Sequence, residues 1–170
     1  MKIYENVLTL KTLNRCLTEY NSVRSEGIWK NSSVFWDDKI RQGVLGTVIH
    51  GSVPEDLSKE LDKELDKYFP SERKEYQYFV WNTLAALSTH DDAPYAWAAT
   101  LYLNTEWDAD CGGMLLWKDK REKEKHKWSA VCPTQNLLVL NDEHEDHLVT
   151  PIAFSAKEER VSIQIWGKPK

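Results

Sequence analysis

Up to Pro70 the apolar positions recur at helical spacing; beyond it they alternate. In residues 8–23, Leu10, Leu13, Cys16, Leu17 and Tyr20 lie to one side, with Lys11, Asn14, Arg15 and Glu19 opposite. That spacing predicts an amphipathic helix laid over a sheet. The stretch Gly27–Gly43 holds Trp29, Phe35 and Trp36 among polar residues without a clean period, which predicts irregular chain with one short strand. Val44–His50 is rich in β-branched residues and predicts a strand. Ser52-Val53-Pro54-Glu55 has the form of a capping box with proline in the first turn, opening a helix through Phe69. Leu57, Leu61, Leu65 and Tyr68 form its narrow apolar stripe, and Pro70 ends it. The charges at three-residue spacing, Lys59–Asp62 and Lys63–Asp66, belong to its solvated face.

From Glu75 the period becomes two. Runs at 75–81, 94–104, 112–117, 127–132, 136–141, 147–154 and 160–166 are separated by turn-rich or charged links. They predict seven or eight short strands in an all-β sandwich or barrel, with the helices packed on one face. No domain boundary, internal repeat or low-complexity tract interrupts the chain. The expectation is a single domain over 1–170, helical and irregular through 74 and β from 75 to 168.

Composition narrows the partners. The chain has 170 residues, 41% hydrophobic and 29% charged, with a net charge of -5. An acidic balance argues against broad binding to nucleic acid or an anionic membrane. No apolar run approaches membrane-spanning length, and charged residues break the short apolar run at the start, so neither a span nor a signal peptide is expected. Three unpatterned cysteines, Cys16, Cys111 and Cys132, predict a reducing, cytoplasmic setting without a disulfide frame. The eight tryptophans are mostly expected in the core; Trp97, Trp117 and Trp128 are the candidates to line a substrate cleft.

The chemistry concentrates around Ser88–Asp92. His90 and Asp92 are two residues apart, so on extended chain both side chains point the same way. An imidazole and a carboxylate on one face are two arms of a metal site. A second histidine would complete the 2-His-1-carboxylate set that leaves coordination positions open. Alone, such a dipeptide spacing also fits histidines that are merely packed or exposed. Three further features converge on it. His147 opens a predicted strand after the charged hairpin 141–146. Arg160, Ser162, Gln164 and Trp166 share one face of the last strand, and Thr100 and Tyr102 share a face of an earlier one.

In order, these pieces are His90-Asp91-Asp92, Tyr102-Leu103-Asn104, Gly112-Gly113-Met114-Leu115, His147-Leu148-Val149-Thr150-Pro151, and Arg160-Val161-Ser162 with Trp166. The series resembles the Fe(II)- and 2-oxoglutarate-dependent dioxygenases of the prolyl 4-hydroxylase-like group over residues 88–166. The resemblance implies a double-stranded β-helix, or jelly roll. It implies His90, Asp92 and His147 as iron ligands, and Arg160 as the cation gripping the distal carboxylate of 2-oxoglutarate. Tyr102, Ser162 and Thr100 are implied as hydrogen-bonding partners of the same carboxylate. A guanidinium suits that task because its planar fork meets a carboxylate with two hydrogen bonds. The implied reaction consumes O2 and 2-oxoglutarate, releases succinate and carbon dioxide, and oxidises a C–H bond of a prolyl, amino-acid or other small substrate, free or on a peptide. An aspartate at the carboxylate position argues against halogenase chemistry.

The chain also departs from the group. Arg160 follows His147 by thirteen positions, a long hairpin that makes Lys157 a rival cation. Asn141 stands where the group often has an aromatic residue, and Met114 where an acidic residue often follows the two glycines. His144 fits an exposed hairpin histidine better than a ligand; His50 and His126 fit surface or packed side chains, and Asp91 fits a solvent-facing one. The mixed-sign segment Lys118–Lys127 reads as an exposed loop, with gating of the cleft a further possibility. Two other functions compete: a non-catalytic jelly-roll binding or structural module that keeps a metal site, and a cupin-type metalloenzyme. The first has no need of a carboxylate clamp such as Arg160 with Tyr102, and the second calls for a further ligand that the spacing does not offer.

Overall fold

The computed structural model describes residues 1–26, 29–31, 46–70, 74–120, 124 and 126–168. The aromatic residues Phe35 and Trp36, the start of the run at 44, and part of the charged loop (121–123 and 125) lie outside them. Two helices are described. Helix α1, Leu10–Glu26, begins after Thr9, whose hydroxyl accepts from the Thr12 amide at 3.4 Å. It buries Leu13 and Cys16, but Leu10 is 72% exposed and leaves the predicted stripe. Helix α2, Glu55–Leu65, buries Leu57, Leu61 and Leu65 completely, and continues into a 3-10 turn, Asp66–Tyr68. The predicted capping box is not formed: Pro54 is the N-cap and no side chain caps it. The physical reason is that Ser52 is already committed to a strand, paired with Gln77.

Eleven strands lie among the described residues: β1 (Lys2–Glu5), β2 (Lys30–Asn31), β3 (Val48–Ser52), β4 (Lys74–Trp81), β5 (Leu87–His90), β6 (Trp97–Tyr102), β7 (Leu115–Trp117), β8 (Ser129–Val131), β9 (Leu137–Asn141), β10 (His147–Val149) and β11 (Arg160–Gly167). They form a seven-stranded sheet in the order β1-β9-β6-β11-β4-β3-β2 and a four-stranded sheet in the order β5-β10-β7-β8. All pairings are antiparallel. The chain is mainly β, two facing antiparallel sheets with the helices contributed by its N-terminal part, as in a jelly roll. Of the strands, β1 and β5 were not among the predicted runs, although the segment ending in His90 was read as extended.

Strand alternation divides the large sheet into two faces. Tyr76, Tyr78, Trp97, Ala99, Leu101, Leu138, Leu140, Val161, Ile163 and Ile165 pack with the α1 and α2 stripes into one core. The alternate residues Phe79, Trp81, Tyr102, Leu137 and Val139 turn toward the small sheet and meet Leu115, Val149 and Ile152. A shift of one residue in any central strand would exchange these sets, so register is fixed by both cores. Burying each α2 leucine contributes about 1.5–3 kcal/mol. Leu61→Ala should therefore lower stability by about 2–5 kcal/mol through lost burial and the cavity left behind. Leu10→Ala, on an exposed site, should change it by less than about 0.5 kcal/mol; urea unfolding of both variants checks the contrast.

Candidate active site

Between the two sheets lies a cavity of about 480 Å³. Its walls come from β2, β3, β4, β6 and β11 of the large sheet and from β5, β7 and β10 of the small one. Strands β5 and β10 pair so that His90 and His147 are direct neighbours across the ladder, and their rings are 4.2 Å apart. Asp92 lies just past the end of β5, in a turn closed by the Tyr95 amide donating to the Asp92 carbonyl at 3.0 Å. Each of the three offers a ligand atom, and these atoms lie within 4.8 Å of one another.

The imidazoles are oriented for this by the backbone. Nδ1 of His90 is 2.8 Å from the Ser88 carbonyl, and Nδ1 of His147 is 3.0 Å from the Glu145 carbonyl. With Nδ1–H donating to a carbonyl, Nε2 keeps its lone pair for a metal. Burial pushes both imidazoles below the ordinary histidine range; the charge of the other imidazole adds to the effect at His90, while Asp92 opposes it at His147. Asp92 Oδ2 is 3.7 Å from His147 Nε2 and receives a hydrogen bond from Asn141 Nδ2 at 2.9 Å.

Arg160 opens β11, opposite Trp81 on β4, and is 2% exposed. Its Cζ sits 4.8 Å from the Trp81 ring centre and 5.0 Å from that of Tyr102. Nη2 reaches the Tyr102 hydroxyl only at 3.5 Å, and Nε and Nη1 find no hydrogen-bond partner among the described residues. Burial pushes the guanidinium down and the Tyr102 phenol up, each partly offset by the other. An arginine is not relieved by losing its proton, and a buried charge is costly unless compensated. The arrangement calls for an anion.

Two residues that the sequence reading gave no role hold this cation in place. Asn104 brackets it through the backbone: its Nδ2 donates to the Glu159 carbonyl at 2.8 Å and its Oδ1 accepts from the Val161 amide at 2.8 Å. Gly113, at φ +62°, packs against the arginine stem; a Cβ there would lie 2.9 Å from Arg160 Cδ. That close approach gives the second glycine of the Gly112-Gly113 pair a physical reason. The rival cation Lys157 is exposed, as is His126, and His144 stands outside the cavity.

The remaining predicted residues separate. Thr100 lines the cavity, where its hydroxyl donates to Gln164 Oε1 at 2.7 Å. Ser162 is buried on the same face of β11 without reaching the cavity wall. None of Trp97, Trp117 and Trp128 lines it. Trp97 belongs to the helix-side core, stacked on Phe69 at 4.5 Å; Trp117 is buried in β7; Trp128 precedes β8 at the surface. Trp81 and Trp166 stand at the wall instead. With them are His50, Phe79 and Tyr95, rings in a continuous series: His50 stacks on Phe79 at 5.6 Å, Phe79 meets Trp166 edge-on at 5.6 Å, and Trp166 stacks on Tyr95 at 5.5 Å. Asp91 is exposed, at the rim of the cavity.

The family model of the 2OG-Fe(II) oxygenase superfamily matches residues 76–168, more than half of the chain. The chain belongs to the 2OG-Fe(II) oxygenase superfamily. The donor set fits the metal: two neutral imidazoles and a carboxylate suit divalent iron, and the unsatisfied guanidinium suits a carboxylate co-substrate. Fe(II), 2-oxoglutarate and O2 are the cofactor and co-substrates of this oxygenase. Solved structures share the fold. A prolyl-4-hydroxylase from Pseudomonas putida aligns over 99% of this chain and 92% of its own, at 17% identity and a TM-score of 0.73. A prolyl hydroxylase from Trichoplax adhaerens, solved with a peptide of hypoxia inducible factor, aligns over 97% and 81%, at 18% identity and a TM-score of 0.68. The non-heme alpha ketoglutarate dependent epimerase SnoN from nogalamycin biosynthesis aligns over 98% and 77%, at 13% identity and a TM-score of 0.69. No curated protein matches the sequence. No helix among the described residues is long and apolar enough to cross a membrane.

The buried histidines make the metal-free oxygenase sensitive to mild acid. A histidine whose folded pKa lies below its unfolded value of about 6.5 takes up its proton more readily in the unfolded chain. Its contribution is complete above about pH 6.5 and is lost as pH falls below that value. His50, lowered by burial and by Lys30, acts with the same sign. Thermal melts of the metal-free protein should fall between about pH 7 and pH 5.5. A His90→Gln, His147→Gln double variant should show a shallower fall, leaving the part due to His50; an equal fall would contradict the assignment.

Proposed function

We propose that this oxygenase is a hydroxylase of a C–H bond, with His90, Asp92 and His147 holding Fe(II), and Arg160 with Tyr102 holding the distal carboxylate of 2-oxoglutarate. The observation that carries the reading is the buried guanidinium with two unsatisfied nitrogens, in one cavity with the three candidate ligands. A binding module that only kept a metal would gain nothing from that cation.

With metal and co-substrate bound, the site supplies the family's oxidation: 2-oxoglutarate and O2 become succinate and carbon dioxide as one oxygen atom enters the substrate. The residues do the rest. Arg160 offers the free edge of its fork, so a carboxylate arriving there exchanges water for charge-assisted hydrogen bonds of about 1.5–3 kcal/mol each. Tyr102, buried and kept protonated, can donate its hydroxyl to the same anion. Leu115, Val149 and Trp81 exclude water from the inner wall. Thr100 is occupied by Gln164, and Ser162 does not reach the cavity, so the clamp rests on Arg160 and Tyr102.

The substrate we infer is a prolyl or other amino-acid-type group or a small molecule, presented free or on a peptide. The aromatic series at the cavity's outer wall supports a substrate with an apolar or ring-shaped portion, since such rings contribute face and edge contacts. The fold-sharing structures support the same range, two being prolyl hydroxylases, one of them with a peptide.

Anaerobic titration of the apoprotein with Fe(II) and 2-oxoglutarate tests the assignment. The wild type should develop the weak visible charge-transfer band of the metal–2-oxoglutarate chelate. His90→Ala should lack it, and Arg160→Ala should need at least tenfold more 2-oxoglutarate, about 1.4 kcal/mol of lost binding. Absence of the band in wild type would remove the oxygenase reading of this site.

A further inference from the structure

Asp92 differs from its two partners in how it is held. His90 and His147 sit in paired strands of the small sheet with Nδ1 tied to backbone carbonyls. Asp92 lies beyond the ladder, in a turn, and is partly exposed. A carboxylate there can change rotamer about two bonds unless something outside the turn holds it.

Asn141 does so from the opposite sheet. It is the last residue of β9, is 4% exposed, and shares the cavity-side face with Leu137 and Val139. Its side chain is almost fully used. One Nδ2 hydrogen goes to Asp92 Oδ2 at 2.9 Å and the other to the Glu145 carbonyl at 3.2 Å. Oδ1 accepts from the Glu145 amide at 2.9 Å. The Glu145 carbonyl that it contacts is also the one that orients His147. No other side chain of this size offers two donors and an acceptor in one plane except glutamine, which is one carbon longer.

We propose that Asn141 is a positioning residue of the metal centre, fixing the Asp92 carboxylate in its ligating arrangement. The inference rests on the metal-site reading above. The competing role is closure of the 141–147 hairpin alone, through the two Glu145 bonds. The two are separable because only the first acts through Asp92.

The test is a double-mutant cycle read by Co(II) binding, with affinity and visible d–d spectrum measured on purified, metal-free protein. Loss of such an outer hydrogen bond typically weakens a site about 10–100-fold. Asn141→Leu should raise the Co(II) dissociation constant by at least about tenfold and alter the spectrum. In an Asp92→Ala background the same change should alter the constant by less than about threefold, because the interacting pair is already broken. Equal losses in both backgrounds would overturn the proposal, since the effect would then run through the Glu145 and His147 contacts rather than through Asp92. So would an unchanged constant in Asn141→Leu, which would leave the metal centre itself standing. A wild type that binds no Co(II) would overturn both. Should Asn141→Leu fail to fold by circular dichroism, Asn141→Ala, which keeps the β9–β6 pairing opposite Ala98, takes its place in the same cycle.

Discussion

A positive charge buried where no described residue neutralises it sets the terms for the rest of this structure. Arg160 is 2% exposed, and the faces of Trp81 and Tyr102 compensate it only in part. Cation–π contacts contribute about 0.5–2 kcal/mol, against a desolvation penalty of several kcal/mol for an isolated ion. The fold holds the charge there by making its surroundings rigid. Arg160 begins the central strand of the large sheet, Asn104 clamps the backbone on both sides of it, and Gly113 admits its stem where a side chain would collide.

The same strand shows how one alternation serves packing and chemistry together. Val161, Ile163 and Ile165 face the helices; Arg160, Ser162, Gln164 and Trp166 face the small sheet. Neither set can be improved at the expense of the other, since a one-residue slip in register would bury the charge against α1 and α2 and place isoleucines in the cavity. The apolar core therefore fixes the position of the cation, and the ladders to β4 and β6 carry that precision to Tyr102 and Trp81.

Much of this was legible in the chain because it follows a period of two. The spacing of His90 and Asp92, the strand opened by His147, and the shared face of Arg160 and Trp166 needed only alternation and order. None of the three cleft tryptophans lines the cavity, and for Trp97 the same rule could have shown it. Thr100 and Tyr102 had been put on the chemical face of their strand, so Trp97, of opposite parity, had to point toward the helices. Asn104 and Asn141 were harder to read, because an asparagine's partners are backbone groups and side chains distant in sequence. The pairing of β1 with β9 lies in the same class, spanning most of the chain. The capping box failed for a different reason: a local signal at Ser52 lost to a ladder pairing with Gln77.

Distance along β11 finally bears on how the cavity is shared. From Arg160 to Trp166 is six residues, about 20 Å of extended strand. Exposure rises along it: Arg160 and Ser162 are buried, Gln164 and Trp166 partly open. Midway, a second cavity of about 20 Å³ is bounded by Gln164 and Thr100 on one side and by Asp92 and His147 on the other. Asp92 and His147 thus lie across from the middle of the strand, with the guanidinium at its inner end and the aromatic series at its outer end. On the function proposed above, a co-substrate anchored on Arg160 would extend from that inner end toward the ligands. The outer portion is walled by Trp166, Tyr95, Phe79 and His50, and on the function proposed above it is these rings, rather than the inner machinery, that would meet the molecule being oxidised.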